Sequence, residues 1–269
     1  MKKRVFSAAA AAMMLLAGGL SVGAAPAVEE EQKFCGTGGY VERSETISYA
    51  TKDSSEEGHI KYDLPNYSVS ADKTSCASTA GTILIAYYDR FYEDLIPNFT
   101  PYYSLGSAIV YKGPSYESTA VNDELYDLMG TDVNGAGTTF NGFQTGMHSY
   151  VSNKGLTYAT SSVGTVDLEQ YKASINSGKP VAIFLQTFSI LKGEIGTDTR
   201  DDIRTYYTAV PHVVVGCGYK VVKYYDSNDQ QIAQRTYLRV ASGTAEYGIS
   251  YLCLDGKSKV EYAISVLIA

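Results

Sequence analysis

An α+β fold is predicted for this chain by the order of its periodicities. Apolar residues recur at helical spacing in four stretches between residues 76 and 178, and five runs rich in Val, Ile and Tyr then follow from 180 to 269 with no helix-like stretch between them. Helices first and antiparallel strands after is the α+β order, whereas a parallel sheet would alternate the two. No Pro/Ser linker, repeat or low-complexity tract interrupts residues 61–269, so they read as one domain.

The chain of 269 residues opens MKKRVFSAAAAAMMLLAGGLSVGAAPA. A basic start, an apolar stretch and an A-x-A pattern at Ala25-Pro26-Ala27 predict a secretory signal peptide over 1–27, and hence a secreted or cell-surface protein. Residues 28–60 read as a polar N-terminal extension whose only alternating patch, YVERSETISYATKD, suits an edge strand. A loop punctuated by Pro65 and Asn66 leads into CASTAGTILIAYYDRFYEDLIP. There Ile83, Ala86, Tyr87 and Phe91 share a helical face, and Pro97 marks the expected end. ESTAVNDELYDLMG and TTFNGFQTGMHSYVSNKG predict two more helices, the second leaving through Gly155. VDLEQYKASINSGKP predicts a fourth, opening at Asp167 and closing at Gly178. The strand runs are 180–188, 212–225, 231–242, 248–254 and 260–269, with DSND as the hairpin turn between the second and third.

Charge and composition exclude several classes. The formal net charge is −7, and removing Lys2, Lys3 and Arg4 with the signal peptide leaves 19 Lys+Arg against 29 Asp+Glu. So acidic a chain does not seek nucleic acid or anionic membrane, and a monomer is expected. Three histidines, no H-E-x-x-H and no C-x-x-C give no zinc pattern, so no metal and no cofactor is expected. The 24 tyrosines, in the absence of tryptophan, suit core and cleft walls.

Cys76 stands where loop meets helix. First-turn N–H groups and the positive end of the helix dipole favour an anion there, which draws a thiol toward thiolate. Ala77, Ser78, Thr79, Ala80 and Gly81 are all small and let the helix approach a second layer. A nucleophile needs a base, and His212, directly after Pro211 at a strand start, is the best placed; an imidazolium beside Cys76 would lower the thiol pKa and have its own raised. His148 lies mid-helix and His59 in the polar extension, where ordinary structural roles suffice, and Cys217 sits in an apolar strand as an inert thiol or half of a disulfide.

His212-Val-Val-Val-Gly-Cys-Gly218-Tyr219, together with DKTSCASTAGTILIAYYDRFY and INSGKPVAIFL, resembles the papain-like cysteine peptidases, most closely the bacterial C39-like branch. The similarity runs over about residues 62–245, Cys first and His 136 residues later, the order that fold requires. It implies a papain-like fold, a helical half packed on a C-terminal antiparallel sheet, and peptide hydrolysis through a thioester on Cys76 with His212 as proton shuttle. Two family positions differ. The oxyanion Gln six residues before the nucleophile is Ser70 here, and the third triad position, normally Asn or Asp, falls to Ser242, with Asp226 too remote in its turn. Those departures leave two alternatives: a papain-like module that binds peptides or surfaces without turnover, and a Cys-His amidase acting on cell-wall peptides. If Cys76 must remain a thiol and Cys217 is core, Cys35 and Cys253 are the expected disulfide pair.

Overall fold

The computed structural model describes residues 32–34, 39–68, 74–245 and 247–269; the predicted signal peptide, Cys35 and Ser70 lie outside the described residues. In chain order the elements are β1 (Lys33–Phe34), β2 (Val41–Ser48), β3 (Thr51–His59), α1 (Cys76–Asp89), β4 (Tyr102–Leu105), β5 (Ala108–Tyr111), α2 (Tyr116–Leu128), β6 (Thr138–Thr139) and α3 (Phe140–Asn153). They continue with β7 (Tyr158–Ser162), α4 (Leu168–Asn176), β8 (Val181–Gly196), β9 (Arg200–Thr208), β10 (His212–Tyr225), β11 (Gln231–Ala241), β12 (Ile249–Cys253) and β13 (Lys259–Ile268). The result is α+β: four helices and a large antiparallel sheet.

β8 organises the sheet. Its first half, Val181–Leu185, pairs with β10 and β13, while its second half pairs with β9 and, at Ile190, with β12. Because β12 pairs β11 and β11 pairs β10, the strands β8, β12, β11 and β10 form a closed circuit. The N-terminal extension joins this sheet: β2 adds to β9 and β3 adds to β10, each as an edge, as the alternating patch predicts.

α1 is buried along its whole length and lies between β10 and the helices α2 and α3. Small residues permit this: the Gly81 Cα faces Met147, Met129 and Leu125 so closely that an added Cβ would lie 2.9–3.1 Å from their side-chain ends. α1 ends at Asp89, eight residues before Pro97. The buried Asp89 carboxylate accepts the Ile96 N–H at 2.8 Å, closing a turn where the sequence pattern predicts further helix. α2 opens on a Ser115/Ser118 capping box, α3 on Thr139, and α4 on Asp167 as predicted, each cap accepting a first-turn N–H. Gly155 and Gly178 follow α3 and α4 at φ of 76° and 78°.

The core has two parts. The larger spans α1 to α4 and the near half of the sheet. The smaller, around Tyr49, Ile203, Tyr224, Tyr237 and Cys253, fills the far end. β9 was not foreseen; its inward positions include Asp201 and Thr205, which break the apolar alternation. The expected Cys35–Cys253 bridge is corrected too: Cys253 is a buried thiol in no disulfide, and Cys76 and Cys217 are likewise buried and unbridged.

Candidate active site

Pro211 lacks an N–H, so β10 starts one residue later with His212, which pairs with Leu185 of β8. The imidazole is fully buried, and the Phe188 ring lies over it at 5.2 Å between centroids and 23° between planes. Its Nε2 is 2.7 Å from the Ser242 carbonyl oxygen. A carbonyl only accepts, so Nε2 carries the proton; Nδ1 is then the basic nitrogen, and it is buried with no hydrogen-bond partner.

The position of Ser242 follows from its neighbours. It directly follows β11, its N–H donates to Gly248 O at 2.8 Å, and its hydroxyl lies 3.1 Å from the Thr244 hydroxyl while accepting the Thr244 N–H. The sequence places Ser242 beside the histidine, and it stands there, but its main-chain carbonyl makes the contact and its side chain turns to Thr244.

Cys76 opens α1 and is fully buried. Ser75 at the N-cap makes no side-chain cap bond, so its hydroxyl does not occupy the first-turn N–H groups. Thr79 lies one turn on, on the same helical face as Cys76. A Cβ on Gly243, which holds φ at 71°, would lie 3.8 Å from Thr79 Cγ2 and 3.9 Å from His212 Nε2. The first turn of α1 and the imidazole therefore border one point. Asn122 of α2 fixes that turn, donating to Thr79 Oγ1 at 3.1 Å and accepting from Ser78 Oγ at 3.3 Å. Beside it lies a cavity of about 210 Å³ bordered by Tyr67, Ser75, Thr79, Ser118, Asn122 and Asp123.

Burial, opposed by the hydrogen bond to Ser242 O, lowers the His212 pKa to about 4. This reverses the expected raised histidine: at neutral pH the ring is an uncharged base, not half of a resting ion pair. Burial pushes the Cys217 and Cys253 thiols the other way, up to about 12, which leaves both unreactive. His148 is exposed on α3, His59 is exposed at the end of β3, and Asp226 sits in the far hairpin turn, accepting from Asn228 and Gln230. Phe188 and Asn122 were missed in the sequence; a lone aromatic in a strand and a lone amide in a helix carry no signal for contact with a site 24 or more residues away. Among the described residues no group of three His, Cys, Asp or Glu side chains is arranged to hold a metal ion.

No curated protein and no solved structure matches the chain. The model of the peptidase C39-like family matches residues 60–252, from the end of β3 through β12, a span that contains Cys76, His212 and Ser242. With most of its length matched, the chain belongs to the peptidase C39-like family.

Proposed function

We propose that this is a secreted cysteine peptidase with a papain-like arrangement, in which Cys76 is the nucleophile and His212 the base. The single observation that carries the reading is the His212 ring: Nε2–H is held by a carbonyl, the Nδ1 lone pair is left without a hydrogen-bond partner, and the ring borders the helix turn that Cys76 begins. In this account Nδ1 takes the Sγ proton as sulfur attacks the peptide carbonyl, and the Sγ–C bond forms while the C=O π pair moves to oxygen. First-turn N–H groups of α1 stabilise the oxyanion, with Ser70 as a further donor. The C–N bond then breaks, and the imidazolium gives its proton to the leaving amine. Water, deprotonated by Nδ1, adds to the thioester carbonyl; the Sγ–C bond breaks as the acid leaves, and the imidazolium returns its proton to sulfur.

A carbonyl stabilises the transient imidazolium less than a carboxylate does, so turnover is slower than in a triad completed by aspartate. Cell-wall peptides are one substrate source for the same chemistry. The non-catalytic binding module is favoured by one observation, that neither Cys76 nor His212 is exposed. The test uses protein collected from the medium of its host, whose mature N-terminus is read first and lies beyond Ala27 if export is right. Peptide-library hydrolysis is then compared with Cys76→Ala. Loss of cleavage by at least about 10³-fold in the variant supports the peptidase; equal cleavage, or none by either protein with or without denaturant pretreatment of the substrate, supports the binding module.

A further inference from the structure

A cavity of about 510 Å³, more than twice the volume of the one beside the first turn of α1, lies away from the dyad. It is bordered by the end of β3 and the segment after it, by the β4–β5 hairpin, and by β10, β11 and β12. Tyr219, its β10 residue, stands seven positions beyond His212, roughly 20 Å along the strand at about 3.3 Å per residue. No step assigned to Cys76 or His212 reaches so far. The volume falls within the roughly 300–1,000 Å³ range of small-ligand sites.

The sheet side of the cavity follows one row of paired residues: His59 of β3 faces Gly218 of β10, Gly218 faces Arg239 of β11, and Arg239 faces Tyr251 of β12. Gly218 lets these strands close in, for a Cβ there would lie 3.0 Å from His59 Cβ and 3.3 Å from Arg239 Cβ. From the segment after β3, Asp63 forks onto Arg239: Nη2 donates to Oδ2 at 3.2 Å and Nη1 to Oδ1. The fork stays reachable, with 28% of the Arg239 side chain and 50% of the Asp63 side chain exposed. Lys61 lies over the Tyr62 ring at 5.0 Å. The formal charges on the wall therefore balance, Glu57 and Asp63 against Lys61 and Arg239, and both cations already have a partner. Such a wall rewards no net ion. It rewards an uncharged ligand that donates and accepts at adjacent atoms. The forked pair leaves outer lone pairs on Asp63 beside further N–H groups on Arg239. A vicinal diol matches that pattern, one hydroxyl donating to the carboxylate while its neighbour accepts from the guanidinium. The Tyr62 and Tyr251 rings add flat apolar faces that suit the C–H faces of a sugar, each with a hydroxyl at its edge.

We infer that this cavity binds a neutral saccharide, with a vicinal diol on the Asp63–Arg239 fork and sugar faces against Tyr62 and Tyr251. The site stands whether or not Cys76 reacts. Full-length protein is titrated calorimetrically with maltotriose, cellotriose and tri-N-acetylchitotriose, in wild type, Asp63→Ala and Ser107→Trp. Ser107 is exposed in the β4–β5 turn at the cavity's edge, so an indole there fills the space without entering the core. At least one trisaccharide binds wild type with a Kd of about 1 mM or tighter. Both substitutions weaken that binding by about tenfold or more, while the melting temperature stays at the wild-type value. No binding of any of the three at up to about 10 mM overturns the proposal. Undiminished affinity in either variant overturns it as well, because the sugar then sits elsewhere. Glycylglycine is titrated in parallel: its binding in place of the trisaccharides would assign the cavity to a zwitterion and overturn the saccharide.

Discussion

His212 illustrates how one buried side chain sets both chemistry and stability. Its folded pKa of about 4 lies below the value of about 6.5 for an exposed imidazole, so protons bind the unfolded chain more readily. The stability tied to its neutral form is complete above pH about 6.5 and is lost as pH falls through that window toward 4. A shift of this size is worth on the order of 3 kcal/mol. Asp89 acts oppositely: burial raises its carboxyl to about 6, so protons bind the folded state more readily and stability from that group is gained as pH falls below 6. The two offset in wild type. Urea unfolding of wild type and His212→Phe at pH 7 and pH 5 separates them: the variant loses less stability, or gains more, on acidification, and parallel pH slopes for the two proteins would contradict a buried neutral His212. The sequence discloses Cys76 and His212 because their residue types and chain order are chemically distinctive. It does not disclose that Ser242 acts through a carbonyl, since every residue carries one and only the loop geometry aims it.

At the scale of elements, the helices pack through glycines that are not interchangeable. On Gly146 of α3 a Cβ would lie 2.4 Å from Met129 Cγ and 2.9 and 3.0 Å from the Met129 backbone N and Cα, which cannot step aside. On Gly81 of α1 the nearest atoms are the mobile ends of Met147, Met129 and Leu125. Alanine gains about 1 kcal/mol of helix propensity at either site. Gly146→Ala loses more than that to overpacking, for a net cost of about 1–3 kcal/mol, whereas Gly81→Ala stays near neutral. Thermal melts rank the two, and equal melting temperatures would contradict the close α2–α3 crossing. The four helices and five of the strands were legible because one face of each is apolar. β9 was not, because its inward Asp201 is neutralised far along the chain by Lys52 Nζ at 2.8 Å and by the hydroxyls of Tyr49 and Tyr224 at 3.1 and 3.0 Å. No local pattern announces a buried carboxylate whose partners stand on β3, on β10 and in the β2–β3 turn.

Across the whole molecule, the extension links sheet and site. β2 and β3 extend the sheet on either side, and the segment before them anchors on the helical layer through Lys33 and on the β8 aromatics through Phe34 and Tyr40. The alternating patch revealed the strands, while the anchors stayed hidden because they are a single lysine and two aromatic rings separated by more than 90 residues from their partners. The central claim, that Cys76 carries an acyl group during turnover, is read by intact-mass and peptide mapping of acid-quenched protein incubated with a peptide ester, in wild type and in Cys76→Ala. The account predicts an added acyl mass on Cys76, removed by neutral hydroxylamine and absent in Cys76→Ala; ester cleavage by wild type with no adduct on Cys76, or an adduct confined to another residue, would contradict it.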